Sequence, residues 1–466
     1  MNCIFICIFK NKHHIDLLYL LLESLYIFGN LRDDTEILIY TSNEFMKIIE
    51  NSNWFTSKIR FEINDTYHDV DKSCKSRLDL FNLQSSSKYD KFLYLDTDIL
   101  ITQFEPEMDI NVVFDIAMDD LLYTVEEGQI GNIEEYYGRS LFGDEIDDYE
   151  DKSAFSSGIL LFKNCEKIKQ LFYQINECIK IRGNESNYYD QPFIVYNAFK
   201  YKLFDNQKLK QFAINQHTNF NLEFLTGMVI NHFPGDPTGS KIEIKINIMQ
   251  TVLNSLKHIM TLKIIEYAKT YIDQNLMPII NQIGEPLEGN IFTEHQSINY
   301  TYVFFNKVMN ISSLLLNKQI KNVMEIGFNS GFSTLLMLLS NSNVKITCFD
   351  LGEHKYTLPC YEKLKETFGN RLNLIIGDNT QTLQTVNDKY DLIHIDGGHS
   401  TEVAESDIIN SARLSKKGTI IIMDNYNFPN LHDLWNNYVR IYNLTTPNIQ
   451  IHSSPHHDIK YFHYTM

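Results

Sequence analysis

Five short apolar runs in the second half of the chain constrain the fold most. They are "NVMEIG" (322–327), "KITCFD" (345–350), "LNLIIGD" (372–378), "YDLIHID" (390–396) and "GTIIIMD" (418–424), and each ends in Gly or Asp. Runs of this length, rich in β-branched residues and separated by helical patterns, read as buried strands of a parallel sheet. Such a sheet binds ligands outside the carboxyl ends of its strands, where the Gly and Asp residues fall. The first half carries a second α/β pattern. It has a strand at 4–9, a helix near 14–28, the strand "EILIYT" and then "KYDKFLYLDTDILI" (88–101). "FDIAMD", an acidic loop at 144–151 and "SSGILLF" (156–162) follow. This pattern ends near "VINHFPGDPTGSK" (229–241), where Pro and Gly cluster. Between the halves, apolar residues recur at helical spacing over 246–271. The expected organisation is a domain at 1–242, a helical linker at 243–284 and a domain at 285–466.

Composition narrows the function classes. At 466 residues and 44% hydrophobic content, two packed cores are affordable. A formal net charge of −18 disfavours a nucleic-acid groove, because binding phosphate backbones needs concentrated Lys and Arg. The seven cysteines form no CxxC and no Cys/His cluster, so reduced thiols in a cytoplasmic setting are expected. "MNCIFICIF" has no basic leader and reads as a first strand, not a signal peptide. No apolar run is long enough to span a bilayer. An oligomer is compatible with the sequence.

Asp96 and Asp98 interrupt an apolar run with only Thr97 between them. On a strand they would share a face, and two carboxylates there repel unless a cation sits between them. A divalent ion held by hard oxygen ligands, Mn or Mg, is what a leaving nucleoside diphosphate needs for charge neutralisation. "LYLDTDIL", "FSSGILLF", "YYDQPF" and "NHFPG", in that order, resemble the GT-A fold glycosyltransferases of family eight, the glycogenin-like group. The resemblance spans about 1–242. It implies a nucleotide-diphospho-sugar transferase with a UDP-sugar as donor, a glycan acceptor and retained anomeric configuration. It implies that Asp96, Asp98 and His232 hold the metal and that Arg77 lies near the diphosphate. Asp190 and Gln191 would touch the donor sugar, with Asp190 as the catalytic group. Gly235 and Lys241 would contact the diphosphate. Ser156 stands where the family has Asn, and Lys241 comes later than the family's lysine. Asp190 also suits a helix N-cap, and Arg77 suits pairing with an acid.

"VMEIGFNSGFST" places Glu325, Gly327 and Gly331 in the spacing ExGxxxG after a first strand. Asn329 breaks the GxGxxG fingerprint of a pyrophosphate cradle, whereas S-adenosylmethionine has no phosphate to cradle. Asp350 ends the second strand, where a carboxylate can accept both ribose hydroxyls. Asp378 ends the third and would face the adenine. Asp396, Asp424 and Asn425 at adjacent strand ends suit an octahedral Mg ion with room for substrate hydroxyls. His399 is the candidate base for a sugar hydroxyl, and His394 reads as a packed histidine. Residues 285–466 resemble the class I methyltransferases, within them the metal-dependent small-molecule O-methyltransferases, some of which act on sugars. The fold class expected is therefore α/β, a GT-A domain followed by a Rossmann-like methyltransferase domain. The expected function is bifunctional glycan synthesis: metal-dependent sugar transfer and O-methylation of a sugar hydroxyl. A degenerate sugar-binding first domain and a non-sugar methyl acceptor are the alternatives.

Overall fold

The computed structural model describes residues 1–102, 108–186, 188–216, 227–235, 242–447, 449 and 451–462. It forms two units, Met1–Leu253 and Asn254–Met466. The division falls inside a single helix, Ile242–Tyr271, within the segment expected as a linker.

Unit 1 contains β1 (Asn2–Ile8), β2 (Thr35–Thr41), β3 (Ile59–Ile63), β4 (Lys91–Leu95), β5 (Ile99–Ile101), β6 (Leu122–Gln129), β7 (Ser153–Lys163), β8 (Phe204–Asp205), β9 (Ala213–Asn215) and β10 (Ile230–His232). One sheet runs β3-β2-β1-β4-β7-β6-β8 and a smaller one β5-β10-β9. β1, β2, β3 and β4 pair in parallel, and β7 is antiparallel to both neighbours. β1, β2 and β4, inside the sheet, are buried along most of their length, whereas the edge strand β3 is partly exposed and carries Arg60 and Glu62. The helix His13–Phe28 covers them with an almost continuous apolar surface. Its buried Ser24 accepts the Ile101 N–H at 3.0 Å, which ties the helix to β5.

The run "LYLDTDILI" is not one strand. β4 ends at Leu95 in the large sheet and β5 begins at Ile99 in the small one, so Asp96, Thr97 and Asp98 bridge two sheets. Period-2 reasoning placed both carboxylates on one strand face; the chain instead turns between sheets there. Ion binding at such a turn needs no shared pleat.

Unit 2 contains β11 (Asn322–Ile326), β12 (Lys345–Asp350), β13 (Leu372–Ile376), β14 (Tyr390–Ile395), β15 (Ser415–Asp424) and β16 (His457–Phe462), in the order β13-β12-β11-β14-β15-β16. The first five are parallel, as expected from their apolar runs, and β16 closes the edge antiparallel to β15. The order reverses between β11 and β14, so the carboxyl ends of these strands open a crevice. Register sets Glu325 beside His394, and Asp424 beside His457. No helix among the described residues is long and apolar enough to cross a membrane. All seven cysteines are unpaired.

Candidate active sites

In unit 1, Asp96, Asp98 and His232 bring one ligand atom each within 4.8 Å of one another. Asp96 follows β4, Asp98 precedes β5, and His232 ends β10 opposite Ile99. His232 Nδ1 lies 2.7 Å from Asn215 Oδ1, an acceptor, so Nδ1 carries the proton and Nε2 turns a lone pair toward the acids. Nε2 is 3.4 Å from Asp98 Oδ1. A lone pair facing two carboxylates is the arrangement a cation stabilises, with Asn215 fixing the ring as an outer partner. The residues therefore fit a divalent ion. Gly158 of "SSGILLF" clears the space: a Cβ there would lie 2.4 Å from His232 Cε1 and 2.9 Å from Asp96 Oδ2. The motif was legible, but this reason for its glycine was not.

Arg77 is buried and supplies positive charge beside the acids. Its Nε is 2.8 Å from Asp190 Oδ2, its Nη1 is 3.5 Å from Asp96, and Nη1 donates to the Ser157 carbonyl at 2.6 Å. The Nε–Oδ2 pair is close but off line for a hydrogen bond. Its guanidinium also stacks 4.6 Å over the Tyr94 ring. Burial pushes the Asp190 carboxyl up to about 6, with Arg77 opposing. Asp190 begins the helix Gln191–Tyr201 but its side chain makes no cap bond, because Arg77 claims it. The capping reading of Asp190 therefore does not hold. Gln191 receives the Ser157 N–H at 3.1 Å and donates to the Tyr136 carbonyl, while Ser156 Oγ accepts the Gly158 N–H. Gly235 is exposed. Lys241 lies outside the described residues. Lys245, which sequence reasoning passed over, reaches Asp98 Oδ2 at 2.6 Å and the Gly235 carbonyl at 3.2 Å. Burial opposes ionisation of Asp98, but Lys245 and His232 outweigh it and hold its carboxyl below the usual range.

In unit 2, Asp396 follows β14, Asp424 ends β15, and with His394 they bring ligand atoms within 4.8 Å of one another. Gly327 makes this possible. At φ 94° it passes so close to the Asp396 carbonyl that a Cβ would lie 1.9 Å from that oxygen. His394 is not merely packed. Its Nδ1 is 3.1 Å from buried Glu325, which also accepts the Thr334 hydroxyl, and its Nε2 has no hydrogen-bond partner. Lys307, from the helix Phe305–Leu315, pairs with Asp424 and lies 3.7 Å from Asp396. Burial and Asp424 raise the Asp396 carboxyl. Burial works against Asp424 ionising too, but Lys307 overcomes it and lowers that carboxyl. The three converging ligand atoms fit a divalent ion, while Lys307 supplies the positive charge that the two acids need without one. Asn425 Nδ2 is 2.7 Å from His399 Nε2 and 3.4 Å from Asp396 Oδ1, so one amide links the candidate base to the acids. As a metal ligand the amide would have to present its oxygen instead.

Residues 324–426 match the protein family described as "Methyltransferase domain". The C-terminal unit carries a methyltransferase domain. The first half of that match is the strand–glycine–helix segment, and the second is the Asp396/Asp424 site. No curated protein matches the chain by sequence. Among solved structures, the chain is similar to a proposed caffeoyl-CoA O-methyltransferase from Staphylococcus aureus, at 18% identity over 43% of this chain and 99% of that one, TM-score 0.31. It is similar to an O-methyltransferase from Bacillus cereus, in complex with SAH, at 15% identity over 42% and 96%, TM-score 0.31. It is also similar to an active-site mutant of LgtC, at 16% identity over 53% and 95%, TM-score 0.36.

The remaining expected residues of the methyltransferase domain line the strand ends. Phe328 and Asn329 donate backbone N–H groups to Asp350 Oδ2 at 2.9 and 2.8 Å, and Gly352 donates to Oδ1. Asp350 therefore braces the glycine turn, and its remaining lone pairs are what a ribose would use. Asn329 and Gly331 both take positive φ in that turn. Asp378 is exposed and caps the helix Asn379–Thr382 through Thr380. Sequence reasoning passed over Lys307, and it read His394 as packed without its contact to Glu325. A lysine in an apolar helix pattern carries no local signal of the acids it meets.

Proposed function

We propose that the chain is a bifunctional glycan-building enzyme. Unit 1 transfers a sugar from a nucleoside-diphosphate sugar, with a UDP-sugar as the favoured donor. The methyltransferase domain passes a methyl group from S-adenosylmethionine to a sugar hydroxyl. The observation that carries this reading is the pair of carboxylate sites, each at the ends of strands and each in contact with a lysine.

In unit 1, Asp96, Asp98 and His232 would hold Mn or Mg, which when bound neutralises the departing diphosphate. Lys245 adds a second positive charge at the same acids. Arg77 fixes Asp190 and the Ser157 backbone, and Gln191 fixes Ser157 from the other side, so the donor-facing wall is preorganised. In the methyltransferase domain, Asp396, Asp424 and Asn425 would hold Mg, which lowers the pKa of a hydroxyl that binds it. S-adenosylmethionine supplies the methyl group. His399 Nε2 lies 2.7 Å from the Asn425 amide nitrogen; with Asn425 turned to present its oxygen to the ion, that Nε2 lone pair would be released to take the acceptor hydroxyl proton. Asn430 Nδ2 donates to the His399 carbonyl and holds that turn. Covalent fusion raises the concentration of the first product at the second site.

Thermal melting with UDP, GDP, CDP and dTDP, each with and without Mn, tests the first activity. A rise with one nucleotide, only with Mn, is expected. No rise with any of them would leave unit 1 as a module that holds a glycan. Transfer of labelled methyl from S-adenosylmethionine to a glycan, and not to phenolic or lipid hydroxyls, tests the second.

A further inference from the structure

We propose that Lys307 is a resident cation of the methyl-transfer site: it holds the Asp396–Asp424 pair together while no metal is bound, and it sets how tightly a divalent ion binds. The proposal rests on reading this site as a metal site, and it concerns a residue outside that ligand set.

The geometry carries it. Lys307 Nζ touches Asp424 Oδ2 and lies 3.7 Å from Asp396 Oδ2, so one ammonium serves both carboxylates. Its side chain is only 6% exposed, so water does not compensate its charge. Nothing local favours a lysine at this position. It stands in the first turn of the helix Phe305–Leu315, where the helix dipole is unfavourable to a cation, and its neighbours Val308, Met309 and Ile311 are core residues. A buried ammonium with no partner is expensive, and so is a buried carboxylate pair. The two sets are each other's compensation. Asn310, one position short of a turn further on, donates to the His452 carbonyl and contacts His457, the residue paired with Asp424 in the sheet. That fixes the helix against β15 and β16, so Lys307 approaches the acids from a rigid element.

A divalent ion entering between Asp396 and Asp424 meets this ammonium at close range. Like charges that near repel strongly even at a moderate protein dielectric. Either the ammonium swings aside or it stays and weakens the ion's hold. Both cases make Lys307 a brake on metal affinity. The consequence is a site that stays assembled without metal and that selects for ions able to pay the displacement.

The test measures Mn binding to the full chain by electron paramagnetic resonance and calorimetry, in an Asp98→Asn background that removes the unit 1 site. Lys307→Met should bind Mn about tenfold tighter or more. Its melting temperature should fall in chelator and recover with Mn, which a purely structural lysine would not produce. Lys307→Arg keeps the charge on a bulkier group and should bind Mn no tighter than the parent. SAH binding reports that the domain is folded in each case. Equal or weaker Mn binding by Lys307→Met, with the parent binding Mn, overturns the proposal and leaves the metal reading intact. Should Lys307→Met fail to fold, tighter Mn binding by Lys307→Arg than by the parent overturns it instead. Absence of Mn binding in both parent and variant overturns the proposal and the metal reading together.

Discussion

The two carboxylate sites solve one electrostatic problem with different materials. In unit 1, the acids sit at a turn between two sheets, and the lysine on them, Lys245, belongs to the first turns of a long helix next to an exposed Gly235. In unit 2, the acids sit at adjacent ends of parallel strands, and Lys307 reaches them from within a packed helix. The first site also has Arg77, a fixed cation locked to Asp190 and a backbone carbonyl. The second has a buried glutamate–histidine pair, Glu325 and His394, beside it. On the proposed reading, a nucleoside diphosphate in unit 1 would meet two cations, Arg77 and Lys245, already shared among Asp96, Asp98 and Asp190, whereas the acids of unit 2 have Lys307 between them.

The largest effects should come from the two glycines that clear the sites. Gly158→Ala drives a Cβ into His232 and Asp96, and Gly327→Ala drives one into the Asp396 carbonyl. Each should abolish ligand-induced melting shifts in its own unit, Mn-dependent nucleotide for the first and SAH for the second, and spare the other. Loss of both responses from either change would break the independence of the two sites.

Removing the candidate base comes next. His399→Ala should slow methyl transfer by about 10²–10³-fold with little change in SAH affinity. A near-normal rate would remove His399 from the chemistry. Asp98→Ala should abolish sugar transfer while methyl transfer to a supplied glycan persists.

Breaking the fixed cation of unit 1 should cost stability as well as function. Arg77→Met leaves Asp190 buried without its partner, and a loss of about 3–5 kcal/mol is expected from denaturant melts of unit 1. Arg77→Met combined with Asp190→Asn should recover part of it. No recovery would show that the Ser157 carbonyl, not Asp190, is what Arg77 serves.

The smallest effect is a pH dependence confined to unit 2. Asp407 is buried, and desolvation pushes its carboxyl up to about 7, with the Asn379 amide opposing. An acid whose folded value is raised costs nothing below its unfolded value near pH 4. The cost grows between pH 4 and 7 and is complete above 7. Asp407→Asn should therefore stabilise unit 2 at pH 8, by on the order of 2 kcal/mol, and leave it unchanged at pH 4. Equal stabilisation at both values would mean the carboxyl is not the source.

The apolar runs made the parallel sheet of unit 2 readable, because buried parallel strands must be apolar on both faces. The "LDTDIL" run misled in one respect. The apolar residues on both sides of Asp96 and Asp98 hid a change of sheet, since β4 and β5 are both buried and pair in different sheets. Asp190, expected at the donor sugar, also suited a helix cap because Asp before an apolar helix often is one; the approach of Arg77 from 113 positions upstream in sequence makes it an ion-pair partner instead of a cap.

The sequence by itself determined where the strands end and which of those ends carry acids, because periodicity, glycines and strand-terminal carboxylates are local properties. It also placed His399 three residues from Asp396. Only the tertiary structure decided which cations answer those acids. Lys245 meets Asp98 across 147 positions and Lys307 meets Asp424 across 117. A lysine's neighbours in sequence say nothing about a carboxylate so far along the chain, and burial of the charge, which makes the pairing obligatory, exists only once the sheets and helices have packed.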